Sequence, residues 1–246
     1  MSDPLPEDLP EDEELEEVPE QEELEEVAEE EEEQTTYVTK DGQKIGELPT
    51  DGLYELHHEG GRIVMTYKAG KKNGESLTYN AQNGLLMRVN FVNDVLEGPA
   101  IQYYPDGKTE MTFQYKGGIK NGPMVNYYPT QMKRLEVGFL NDEMEGTFTF
   151  YDEYGDISQT STYKKGILHG PSTTFFPKSQ GGAICRSCVY ENGLLVKEDQ
   201  LFYTTGEPLQ KTPYDKGQAL AYPVNYDQKG NILKDPANEN RQGEED

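Results

Sequence analysis

Tryptophan is absent from this chain of 246 residues, cysteine occurs twice, histidine three times, and hydrophobic residues make up only 33%. So little apolar material cannot fill a thick core, whereas a thin sheet with an aromatic face, drawn from 17 Tyr and 8 Phe, fits the shortage. No apolar run approaches the ~18 residues of a membrane-spanning helix. Met1-Ser2-Asp3-Pro4 leads into acids and not into the ~7–15 apolar residues of a Sec-type leader, so cytoplasmic residence is the expectation. His57, His58 and His169 are too few and too scattered for a triad, no Ser sits in a nucleophile elbow, and no phosphate-binding glycine fingerprint opens a helix. The expectation is a protein that is not an enzyme and carries no cofactor or metal.

Basic residues are missing from the first 33 positions, which hold 19 Asp or Glu. The whole chain has 47 acids and 22 bases, a net charge of −25, so residues 34–246 carry 28 acids against 22 bases and are only mildly acidic. Acids crowded with Pro4, Pro6, Pro10 and Pro19 make residues 1–34 a disordered acidic arm. Within it, Glu13-Glu14-Leu15-Glu16-Glu17-Val18 recurs as Glu22-Glu23-Leu24-Glu25-Glu26-Val27, either as short docking motifs or as part of a solvated tail. A chain of this sign is repelled by nucleic-acid phosphates and anionic membranes. The expected partner is a protein that is basic or has a basic cleft; direct nucleic-acid binding is not expected, and a membrane is the lesser possibility.

Against these absences stands a ruler. Tyr67, Phe91, Tyr115, Phe139, Tyr163, Tyr190 and Tyr214 are separated by 24, 24, 24, 24, 27 and 24 residues. A period this short means one small supersecondary unit copied in tandem. Seven residues after each anchor comes a glycine, Gly74, Gly98, Gly122, Gly146 and Gly170, replaced by Lys197 and Ala221 in the last two copies. Twelve residues after it comes a second aromatic without exception: Tyr79, Tyr103, Tyr127, Tyr151, Phe175, Phe202 and Tyr226. Sixteen residues after it comes a turn glycine, Gly107, Gly155, Gly206 and Gly230, with Gly84 one place late, Gln131 in the third copy and Ser179 in the fifth, where three residues are inserted.

Each unit reads as a β-hairpin plus a short connection. Residues 91–98 are a connecting loop, 99–104 a strand, Pro105-Asp106-Gly107 a three-residue turn, and 108–115 the return strand. Return strands alternate: Met87, Val89 and Phe91, then Met111, Phe113 and Tyr115, then Leu135, Val137 and Phe139 are apolar with polar residues between them. Later copies weaken, with Gln159 and Ser161 before Tyr163, and Gln210 and Thr212 before Tyr214. A shorter hairpin around Gly52, His57 and Gly60-Gly61 precedes the ruler, and Ile232-Leu233 starts a last return strand. The fold class is therefore all-β: an elongated, single-layer, twisted antiparallel sheet of tandem 24-residue hairpins over residues 50–233, roughly 75 Å long at ~4.8 Å per strand. Residues 234–246 read as a disordered polar tail.

Residues 115–123 (Tyr-Lys-Gly-Gly-Ile-Lys-Asn-Gly-Pro) and 163–171 (Tyr-Lys-Lys-Gly-Ile-Leu-His-Gly-Pro) resemble the membrane occupation and recognition nexus, or MORN, repeat. The pairs Tyr103-Tyr104, Tyr127-Tyr128 and Phe175-Phe176, followed by turns, are similar to the bacterial variant found in proteins of the YwqK antitoxin family. The resemblance covers about residues 50–233. It implies a scaffold used for interaction, an antitoxin or immunity association, and in some relatives phosphoinositide or membrane binding; it implies no active site.

The two cysteines, Cys185 and Cys188, lie on a return strand, where residues three apart point to opposite faces, and no second pair exists to complete a zinc site. They read as reduced structural thiols. Asp94, Glu97, Asp142, Glu143 and Glu145 fall in the connections, as solvated charge or as contacts for a basic partner or a weak cation. The functional expectation is a protein-binding repeat protein, an antitoxin or immunity-type neutraliser using the aromatic columns and the portion from about 63 to 139. The rival is a membrane- or phospholipid-associated scaffold, using Lys71-Lys72, Lys116, Lys120, Lys133-Arg134 and Lys164-Lys165.

Overall fold

A computed structural model describes residues 36–39, 44–45, 50–58 and 60–233. The expected acidic arm (1–34) and polar tail (234–246) lie outside the described residues. The described chain is built of antiparallel strands, and its one helical turn is the 3-10 segment Lys178–Gln180. It forms two compact units that divide within strand Lys133–Leu140. An N-terminal unit takes the residues up to Lys133 with Phe139–Asp142, and a C-terminal unit takes Arg134–Gly138 and everything from Glu143.

In the N-terminal unit, strands Gly52–His58, Gly61–Lys68, Lys71–Asn80, Leu85–Val92, Gly98–Tyr103, Thr109–Lys116 and Gly122–Tyr127 pair antiparallel in chain order. In the C-terminal unit, strands Glu143–Tyr151, Ile157–Lys164, Ile167–Phe175, Ile184–Glu191, Leu194–Phe202, Pro208–Asp215 and Val224–Asn225 do the same. Within each unit the substantial packing joins hydrogen-bonded neighbours only, so among the described residues each sheet is a single layer. The sheet also begins earlier than the expected start near residue 50: strand Thr36–Thr39 pairs with Gly52–His58 and with Lys44–Ile45.

The connections differ from the expected loop. After each anchor the chain reverses in two residues of positive φ: Ala69-Gly70, Asn93-Asp94, Gly117-Gly118, Asn141-Asp142, Lys165-Gly166, Asn192-Gly193 and Lys216-Gly217. Paired left-handed residues are the signature of a type I′ hairpin turn, whose twist matches that of the flanking strands. Short strands such as Val95–Leu96 and Ile119–Lys120 then pair straight back onto the anchor strand. Residues 91–98 are thus a second hairpin, and the chain meanders without a free loop between copies.

The opposite ends of the strands carry the three-residue turns. At Pro105-Asp106-Gly107, the Gly107 N–H donates to Tyr104 O and the Tyr104 N–H to Lys108 O. The first copy keeps this register: Asn83, not Gly84, takes the left-handed place, at φ 64. Gln131 does so in the third copy at φ 70. In the fifth copy the insertion enlarges the turn to residues 177–182, closed by the Phe176 N–H on Ala183 O.

Candidate functional site

Side chains alternate across each sheet, so each unit has two faces and two edges. The anchor column and its neighbours lie on one face. Register explains the glycine column directly: Gly52 stands opposite Tyr67, Gly74 opposite Phe91, Gly98 opposite Tyr115, Gly146 opposite Tyr163 and Gly170 opposite Tyr190. Each of these glycines has φ between +84° and +121°. That backbone kinks the outgoing strand, and it is the left-handed φ, not contact with the facing ring, that calls for glycine: a Cβ at Gly98 or Gly146 would meet nothing within 4 Å, and one at Gly74 or Gly170 would meet Thr66 or Thr162. Lys197 keeps the geometry at φ 65 opposite Tyr214. Ala221 does not. The Leu220 N–H still donates to Pro213 O, as Glu97 does to Asn90 and Asn121 to Gln114, but the ladder then stops and resumes only at Val224. Leu220 and Tyr222 are left 66% and 63% exposed.

Next to the anchors runs a buried row. In the N-terminal unit it pairs Met65 with Ser76, Ser76 with Val89, and Ala100 with Phe113, and Met124 is almost wholly buried. In the C-terminal unit the same row becomes polar: Phe148, Ser161, Ser172 and Cys188 are paired in turn, and Asp199 is paired with Thr212. Ser161 and Ser172 share a 2.9 Å hydrogen bond, and Arg186 grips Asp199 through Nε (3.0 Å) and Nη2 (3.2 Å). Burial pushes the thiols of Cys185 and Cys188 up, and pushes Tyr190 up to about 12. Both cysteines are free and buried, and neither is a ready nucleophile. Cys185 falls at a register shift between Thr174 and Phe175. The same shift accompanies Tyr79, Tyr103, Tyr151 and Phe202, so it belongs to the repeat and not to the insertion.

The second aromatic column therefore marks the bulge that ends each ladder, and it lies on the other face. There Tyr79, Tyr103 and Tyr127 are half-buried beside Leu77, Ile101 and Val125, one pair per copy. Arg62 stacks over Tyr79 at 4.1 Å. In the C-terminal unit the corresponding row is Thr149, Thr160, Thr173, Ser187, Gln200 and Lys211. By the same pairings the N-terminal row runs Leu77, Arg88, Ile101, Thr112 and Val125, so the tyrosine-rich face expected to recognise a partner is flanked there by an aliphatic side chain on every other strand, and in the C-terminal unit by polar side chains throughout.

The acids of the connections have a structural use. Asp94 Oδ1 accepts the Lys72 backbone N–H (2.7 Å) while the Asp94 N–H donates to Lys72 O (2.9 Å). Asp142 repeats both bonds with Lys120, at 2.6 and 3.0 Å. Glu97 accepts from Gly117 N–H and Glu145 from Lys165 N–H. His169 Nδ1 plays the same part for the Asn192 N–H (3.4 Å). These side chains stitch the type I′ turns at 93–94, 117–118, 141–142, 165–166 and 192–193 to the adjacent copy. Among the described residues no group of three or more His, Cys, Asp or Glu could hold a metal ion.

The lysines proposed for one edge part company. Lys71, Lys116, Lys164 and Lys165 are exposed at or beside type I′ turns, and Lys133 follows a three-residue turn at the opposite edge. Lys72 and Lys120 lie over rings, Lys72 at 5.3 Å from Phe91, Lys120 at 5.1 Å from Phe113 and 5.5 Å from Phe139. Burial holds the Lys120 ammonium below its ordinary pKa, with Asp142 working against the shift. Sequence reasoning missed this pattern although a signal was present: Lys72 and Lys120, Phe91 and Phe139, Asp94 and Asp142, and Glu97 and Glu145 all recur at 48 residues, two copies at a time. No family model matches the chain, and no curated protein matches it.

Proposed function

We propose that this chain is a non-enzymatic protein-binding repeat protein, of the antitoxin or immunity-type neutraliser kind that the MORN-like resemblance implies. One observation carries the reading. On one face of the N-terminal unit, Leu77, Ile101 and Val125, with Tyr79, Tyr103 and Tyr127, occupy the same place in successive copies. They are half-buried, and no second layer packs on them among the described residues. Evenly spaced aliphatic and tyrosine side chains make amphipathic contacts at low entropic cost, as protein interfaces do. The 19 acids of residues 1–33 supply long-range attraction for a basic partner or a basic cleft.

Affinity capture with the full chain and with a chain lacking residues 1–33, at about 0.15 and 0.5 M salt, tests it. A basic protein held by the full chain, weakened by the deletion and by salt, is the expected result; capture indifferent to both removes the arm from the reading. The second reading, a phospholipid-associated scaffold, is favoured by the exposed Lys68, Lys71 and Lys116 beside Val92 and Val95 on the turn edge. Clear flotation with anionic vesicles would sink the neutraliser-only reading.

A further inference from the structure

Each ring of the second aromatic column is paired with the residue that opens the return strand, and that residue changes along the chain. In the N-terminal unit Tyr103 faces Thr109, which breaks any apolar row. In the C-terminal unit Tyr151 faces Ile157 and Phe175 faces Ile184. Four consecutive strands there set one apolar side chain each at the same level, and the row runs on into Phe202 and Pro208, also paired. Ile157 is 46% and Ile184 41% exposed, and Tyr151 and Phe175 are half-buried. Tyr154, at the tip of the turn between Tyr151 and Ile157, is 85% exposed. No second layer packs on this stripe among the described residues.

The stripe is one residue wide, and its two borders differ. On one side runs the uncharged row Thr149, Thr160, Thr173 and Ser187. On the other stand the turns at 152–156 and 177–183, with three acids, Asp152, Glu153 and Asp156, and one base, Lys178. Lys178 is turned onto Asp156 at 2.7 Å. Asp152 uses Oδ1 to accept the Tyr154 and Asp156 N–H groups and keeps its charge. An apolar seam between an uncharged border and an acidic one is the complement of an amphipathic helix with Lys or Arg along one flank. The spacings suit it: a helix advances ~5.4 Å per turn and neighbouring strands lie ~4.8 Å apart. Strand twist of roughly 20–25° limits a straight helix to about three or four strands, or about 10–12 residues.

We propose that the stripe Tyr151, Ile157, Phe175 and Ile184 docks a basic amphipathic helix of a protein partner, its apolar seam on the stripe and its cationic flank against Asp152, Glu153 and Asp156. The Tyr154 ring, exposed among those acids, suits a Lys or Arg of that flank. The inference rests on the reading of a basic protein partner, and it names the form that partner takes at the C-terminal unit.

The test uses the full chain and two synthetic Leu-Lys peptides of about 14 residues and one composition, one with leucines at i, i+3, i+4 and i+7 and one scrambled to have no seam. The acids of residues 1–33 attract both, so the difference between the peptides reports the seam. Fluorescence anisotropy at about 0.15 M salt should show the seam peptide bound roughly tenfold more tightly, and difference circular dichroism should show it turn helical. Ile157→Asp and Ile184→Asp, at exposed sites, should each erase that advantage; Thr109→Asp, on the corresponding N-terminal row, should leave it. Equal binding of the two peptides overturns the proposal, as does an advantage that survives both substitutions. An advantage lost in Ile101→Asp instead gives the helix to the N-terminal face and overturns it too. Self-association of the chain abolished by Ile184→Asp overturns it and gives the stripe to a second copy. Capture of a basic protein that needs residues 1–33 but is unchanged in Ile157→Asp and Ile184→Asp sinks this inference alone; a docked seam peptide with no basic protein captured sinks the neutraliser reading alone.

Discussion

A left-handed backbone angle is easy for glycine and costs other residues about 1 kcal/mol or more, so the glycine opposite each anchor is the residue on which the sheet most depends. At Gly122, φ is 127° and an added Cβ would lie 2.9 Å from Gln114 Cβ. Gly122→Ala should therefore cost ~1–3 kcal/mol in urea unfolding. The reverse change, Lys197→Gly, relieves a φ of 65° and should stabilise by roughly 1 kcal/mol. A second residue-scale expectation concerns alkaline pH. Cys188 and Tyr190 are held above their ordinary 9.0 and 10.0 by burial first of all. The folded state thus keeps protons that the unfolded state releases. The stabilisation from these groups is complete below pH about 9 and is lost as pH rises toward the Tyr190 value of about 12. Lys120, shifted down, acts in the opposite sense. Urea midpoints between pH 8 and 11 would check the net decline, and an aromatic disulfide reagent at pH 8 should label neither thiol until the chain unfolds. The glycine column was legible in the sequence because glycine has few other reasons to recur at 24. Asn83 and Gln131 were not, since either residue also suits an ordinary turn.

The hairpin is where the connecting carboxylates act. Asp142→Ala removes the acceptor for the Lys120 N–H and exposes a buried lysine to one fewer counter-charge. A loss of ~1–2 kcal/mol is expected, of the size of a lost helix cap, measured by thermal unfolding. Glu143→Ala, on an exposed neighbour, is the control and should change little. The return strands and three-residue turns could be read from period-two alternation and from Pro105-Asp106-Gly107. The type I′ turns carried a signal that was passed over: Gly70, Gly118, Gly166, Gly193 and Gly217 hold the second place in five of the seven, but Asn93-Asp94, in the unit read as the pattern, has no glycine there. The position of the acids followed from the backbone shape of these turns, and with it their use as turn acceptors. Candidate recognition residues were half legible: periodicity found Tyr79, Tyr103 and Tyr127, but exposure of Val92 and Val95 depends on which end of the strand each turn occupies.

For the molecule as a whole, the two units differ in what lies beneath their anchors. The N-terminal row contains Met65, Phe113 and Met124, whereas the C-terminal row passes through Ser161, Ser172, Cys188 and Thr212. Burying a methionine or phenylalanine side chain is worth ~1.5–3 kcal/mol, and a hydroxyl pair contributes less. A repeat sheet without a shared core opens locally, by the sum of its neighbouring interfaces. Hydrogen exchange should therefore show strands from Ile157 onward opening at lower denaturant than those between Gly61 and Tyr127; a single transition in every peptide would contradict this. The enlarged turn at residues 177–182 has a different consequence. Across it Gly170 still faces Tyr190, and downstream of it Lys197 still faces Tyr214, so three extra residues were absorbed where they arose. Foreign sequence spliced into any of these tips, at Thr130 or Glu153 as readily as at Ser179, should be carried as a passenger, whereas a single residue added between an anchor and its glycine would slip that one hairpin by a residue and turn its side chains to the wrong face.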